Sequence, residues 1–245
     1  MDGVDYSTLL IERIATMNNR YDNIRVASLR TGPATTVIDG GARRVLRNTY
    51  WLLSLTVGFA AVAAGTSAAL GLPHPGILLT LVGFYGLLFL VTKYRDRAAG
   101  IGWLFALTGF MGYTLGPILV HYLHMANGTQ IVMTAFGGTA AIFLGMSAYA
   151  MVTRRDLTFL GGFLAVGVLV AFLAGLAALL FNIPAMSLAV SAVFVLLMSG
   201  MILYETNNIV RGGETNYVMA TVSLFVSLFN LFTSLLHLLG FASRE

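Results

Sequence analysis

Apolar runs of membrane length, separated by short polar breaks, set the pattern of this chain. Seven runs lie near 49–70, 76–92, 100–123, 130–151, 158–180, 185–204 and 217–240. Each has the length a helix needs to cross roughly 30 Å of hydrocarbon. The breaks Gly71-Leu72-Pro73-His74-Pro75-Gly76, Ala126-Asn127-Gly128 and Phe181-Asn182-Ile183-Pro184 are turns by their Gly, Pro and Asn content. The last run differs from the rest. Ser223, Ser227, Asn230, Ser234 and His237 recur at steps of 4, 3, 4 and 3, so they share one helical face. Lipid offers such groups no hydrogen-bond partners, and the stripe must point into protein or water. The predicted fold class is all-α integral membrane: seven transmembrane helices, six of them surrounding a central C-terminal seventh.

Ahead of the first run the pattern is polar. Asp5 to Asn19 predicts a short helix with Leu9, Leu10, Ile14 and Met17 on one side. Residues 21–41, rich in Thr, Gly and Asn, lack sustained periodicity and read as extended or disordered. The expected organisation is a partly disordered tail, 1–47, followed by a seven-helix domain, 48–245. No apolar core of a cleavable signal appears early in the tail, so the tail is expected to be kept.

Charge fixes an orientation. Of the 14 Lys and Arg, 13 fall in the tail and in the loops at 93–99, 152–157 and 205–216. The three opposite loops have none. The positive-inside rule then places the N-terminus in the cytoplasm and the C-terminus outside. Basic residues that flank spans serve the lipid bilayer as partner, and nucleic acid is not expected. Only 10% of the chain is charged, far below the roughly 25% of a soluble domain.

Candidate chemistry is sparse. The chain has no cysteine, which excludes disulfides, thiolate metal sites and cysteine nucleophiles. No GxSxG elbow, HExxH, Walker loop or dinucleotide fingerprint occurs, so no catalytic residue, cofactor or metal is expected. His121 and His124 could share a ligand, but no carboxylate or cysteine joins them, and they read as interfacial. Gly109, Gly112 and Gly116 share one side of the third helix, a pattern for close helix packing or a homodimer face. Acidic residues cluster at the cytoplasmic edges: Asp96, Asp156, Glu205 and Glu214. Glu205 stands at the inner mouth of the sixth span. It reads either as an interfacial carboxylate, solvated or paired with Arg211, or as a gating, cation-binding group.

One segment carries more than a hydropathy pattern. Tyr204-Glu205-Thr206-Asn207-Asn208-Ile209, then Asn216-Tyr217-Val218-Met219-Ala220, then Ser223-Leu224-Phe225-Val226-Ser227-Leu228-Phe229-Asn230-Leu231-Phe232 resemble the Bax inhibitor family. The likeness is greatest to its proteobacterial, YccA-like branch. The resemblance implies six helices around a seventh, and a proton-sensitive calcium leak closed by two aspartates joining the sixth and seventh helices. Carried over, the first aspartate falls on Glu205 and the second near Ser227, which has no carboxylate. Glu205, Ser227, Asn230 and Arg211 form the candidate gate, with Ser223, Ser234 and His237 completing the polar stripe. The branch further implies association with the membrane-anchored AAA protease FtsH and its partners HflK and HflC in the bacterial inner membrane. Two functions are therefore expected in order: modulation of that protease as substrate and inhibitor, or a pH-sensitive cation or Ca2+ leak gated near Glu205.

Overall fold

The computed structural model describes residues 40–153 and 155–243. The tail expectations for residues 1–39 lie outside them. The described residues form seven helices: α1 (Gly40–Ala69), α2 (Ile77–Tyr94), α3 (Ala98–Leu123), α4 (Gly128–Val152), α5 (Leu160–Leu180), α6 (Pro184–Val210) and α7 (Tyr217–Ala242). Each is long and apolar enough to cross a membrane. The turns fall where Gly, Pro and Asn predict them. Gly71, Gly76 and Asn182 take positive φ, at 61°, 82° and 51°. Pro184 opens α6, a position whose amide needs no partner.

Two helices outrun their apolar stretches. α1 begins at Gly40, so Arg43, Arg44 and Arg47 ride on its first turns rather than in a separate stretch of tail. α6 continues through Glu205, Thr206 and Asn207 to Val210, where hydropathy alone ends the span at 204. Those three polar residues are buried. They stay helical because their side chains find partners across the bundle rather than water.

α7 is the central element. No residue from Tyr217 to Gly240 is exposed, whereas α2 buries Val91 alone. α7 packs chiefly against α1, α3, α4 and α6, while α2 and α5 complete the surround against α3 and α6. The core joins Leu104 and Leu107 of α3, Ile202 and Ile209 of α6, and Leu224 and Leu231 of α7. Lipid supplies little hydrophobic drive between helices, so close backbone approach does much of the remaining work.

That approach is tightest between α1 and α3. A Cβ at Gly112 would press into the Ala60 carbonyl, and one at Gly116 would stand 2.6 Å from the Ser67 side chain. Ser67 then donates to the Tyr113 carbonyl at 3.0 Å. The glycine stripe of the third helix is thus covered by α1 of the same chain, and a second copy cannot reach it.

Candidate functional site

At one end of the bundle, four segments meet around the last turns of α6. Glu205 is buried there and accepts a hydrogen bond from the Ser223 hydroxyl of α7. Tyr50 of α1 and Thr206 pair through their hydroxyls at 3.4 Å. Asn207 reaches the opposite way. Its Oδ1 accepts from the Leu157 amide at 3.3 Å and its Nδ2 donates to the Arg155 carbonyl at 3.4 Å. A single carboxamide therefore pins the α4–α5 connection to α6. Beside it, the Thr158 hydroxyl and amide donate to Asp156 at 2.5 and 2.9 Å. They hold the Asp156 carboxyl below its ordinary 3.8, and the nearby Arg211 charge acts in the same direction.

The α6–α7 turn is fastened by Asn216. Its Oδ1 accepts from the Val218 and Met219 amides at 3.0 and 3.1 Å, which caps α7. Its Nδ2 donates to the Arg95 carbonyl at 3.2 Å and to Asp96 at 2.8 Å in the α2–α3 turn. Glu214 adds a bond from the Asn216 amide at 2.7 Å. We expect Asn216→Ala to destabilise the protein by about 1 kcal/mol through the cap alone, visible as a lower Tm in detergent. Asn216→Asp keeps the cap acceptor but sets a carboxylate against Asp96, so it should recover only part of the loss. An unchanged Tm for the alanine variant would show that the cap is dispensable.

The predicted gate residues do not form one cluster. Ser227 has no carboxylate to pair with Glu205, and its hydroxyl donates back to the Ser223 carbonyl at 2.9 Å. Ser223, one turn earlier, is the residue that meets Glu205. Arg211 caps the C-terminus of α6, with its amide on the Asn207 carbonyl at 3.0 Å. Asn230 donates to the Val226 carbonyl at 2.8 Å and lines a crevice toward the other end of the helix. Ser234 and His237 line the same crevice. There, His237 Nδ1 and the Ser191 hydroxyl of α6 lie 2.8 Å apart. The stripe therefore engages α6 near both ends, at Glu205 and at Ser191. Sequence reasoning missed Asn207, Asn216 and Ser191 as individual groups. The amide-rich run 204–216 was the signal for the first two, and Ser191, one turn beyond Ser187, gave none.

The chain matches, over residues 42–244, the model of a family described as inhibitor of apoptosis-promoting Bax1. It is 55% identical over 202 residues to a protein of Escherichia coli K12 named modulator of FtsH protease YccA. That match covers 82% of this chain and 92% of the relative. A protein of Escherichia coli O6:H1 at the same identity and coverage carries the name inner membrane protein YccA. A Pseudomonas aeruginosa protein, named only as uncharacterized, is 52% identical over 201 residues, 82% of this chain and 90% of its own length.

Proposed function

The chain belongs to the Bax inhibitor family, and from that premise we propose that it is a non-catalytic inner-membrane protein that binds and modulates the FtsH protease. The single observation carrying this reading is its similarity, along nearly the whole relative, to the Escherichia coli modulator of that enzyme. In this reading the N-terminus is cytoplasmic and the C-terminus periplasmic, an orientation that the distribution of Lys and Arg supports. HflK and HflC are the further partners.

Physical chemistry supports a substrate that is also an inhibitor. An ATP-driven unfoldase needs an unstructured handle, and the polar, aperiodic composition of the tail suits that task. Extraction must then break backbone-tight helix contacts and a mouth fastened by Asn207 and Asn216. A bundle that resists pulling occupies the protease. Deleting residues 2–30 should lengthen the cellular half-life, and an unaltered half-life would remove the tail from the scheme. Purification from native membranes in mild detergent should retain FtsH, and its absence would sink the reading as a whole.

One observation favours a second reading, a cation leak. Glu205 is a carboxylate buried beside the central helix, and such groups within membrane helices mark ion pathways. Vesicles loaded with a calcium dye separate the two. A pH-dependent flux lost in Glu205→Gln supports the leak, whereas flux equal to that of empty vesicles eliminates it.

A further inference from the structure

Toward the end of the bundle remote from Glu205, a crevice of about 400 Å³ opens between α2 and α5 and reaches the central helix. It exists because α2 and α5 pack on α3 and α6, without substantial contact between each other. Its walls are apolar: Ile77 and Leu81 from α2, Phe172 and Leu176 from α5. Its floor is not. Asn230, Ser234 and His237 of α7 line it, with Ser191 of α6 beside them.

The floor has unused hydrogen-bonding capacity. Ser234 is only 8% exposed, and its hydroxyl bonds no other group among the described residues. Asn230 gives one N–H to the Val226 carbonyl, which leaves its carboxamide oxygen and second N–H. A membrane interior offers these groups no partner, so whatever enters the crevice must supply one. Asn230 lies 12 residues before the end of α7, about 18 Å along the helix axis. The polar floor therefore runs well into the apolar layer.

The lining also selects by charge. Among the described residues, no Lys, Arg, Asp or Glu contributes to it. A phosphate head would lack the cationic partner it needs, and an ammonium would lack a carboxylate. The opening lies between two helices whose flanking residues Leu78, Val82, Leu173 and Leu180 face outward, so an occupant arrives laterally from the bilayer. By contrast, the apolar groove along Ile142, Gly145, Met146 and Leu203 has almost no polar surface to orient a ligand.

We propose that this crevice binds a neutral membrane lipid, with an uncharged head of hydroxyl and carbonyl oxygens on Asn230 and Ser234. Its tail lies along Leu81, Phe172 and Leu176. The proposal is independent of the protease reading. The chemistry is that of a diacylglycerol, and a diacylglycerol carrying a photoreactive acyl chain is the probe.

Full-length protein in nanodiscs would be irradiated with that probe, or with phosphatidylglycerol bearing the same chain, and labelled residues mapped by mass spectrometry. The diacylglycerol should label α2 and α5 beside the crevice several-fold more than the phospholipid. Ser234→Ala combined with Asn230→Leu should bring the two to equality. Leu176→Trp, which fills the mouth from the outer helix and leaves the polar floor alone, should abolish the preference in a protein of unchanged Tm. Equal labelling by both probes in the parent protein would mean ordinary contact with bilayer chains, and would overturn the proposal. Labelling elsewhere only would mean that water fills the crevice, and would overturn it equally. A preference that survives both variants would show that the floor does not read the head, which also refutes it.

Discussion

Gly112→Val is expected to prevent accumulation of folded protein, whereas Gly86→Ala leaves it unaffected. At Gly112 the obstacle to any side chain is backbone: the carbonyl of Ala60, with its Cα 2.9 Å from the position a Cβ would take. Backbone cannot swing aside, so α1 and α3 must separate along their length. Overpacking by one methyl costs about 1–3 kcal/mol, and a branched side chain enlarges the clash. Gly86 has no atom within 4 Å of a Cβ and serves as the control. Gly109 should fall between, because its obstacle is the movable ring of Phe59 at 2.7 Å. Size-exclusion profiles and thermal unfolding in detergent give the ranking. Folded protein at parental yield from Gly112→Val would refute the close α1–α3 contact.

The second large effect is at Asn207. Replacement by Leu removes both bonds to the α4–α5 connection while preserving approximate size. Each buried group left without a partner costs about 1–3 kcal/mol, concentrated where the Leu157 amide meets α6. The connection should then detach before the bundle melts. Trypsin cleavage after Arg155 should accelerate several-fold in Asn207→Leu. Asn207→Asp, which keeps the acceptor and loses the donor, should lie between that variant and the parent. Equal cleavage rates across the series would mean that the loop is held by other contacts.

Both predictions concern groups whose importance was only partly legible. The glycine stripe was visible from spacing, as was the need to bury it. Its partner was not, because a stripe of small residues is equally suited to another copy of the chain. The amide-rich segment stood out as unusual for a span edge, yet hydropathy ended the helix at 204. Asn207 and Thr206 are polar by any scale, and a scale has no knowledge of a partner waiting on another segment. The structure places Glu205 against Ser223 instead of Ser227 for a related reason. Both serines lie on the predicted face, one turn apart, and only the axial register of α6 against α7 distinguishes them.

The number of membrane-length helices among the described residues, the positions of the turns between them and the central place of the last helix were all readable from residue order. These follow from local quantities: run length against bilayer thickness, the backbone freedom of Gly and Asn, and a polar stripe that lipid rejects. Three-dimensional packing was needed to settle which polar side chains meet, where α2 and α5 leave α7 reachable, and which helix the glycines press against. Those outcomes depend on helix register and rotation, which change by ångströms without altering hydropathy. A hydrogen bond or a steric contact is gained or lost over that same distance.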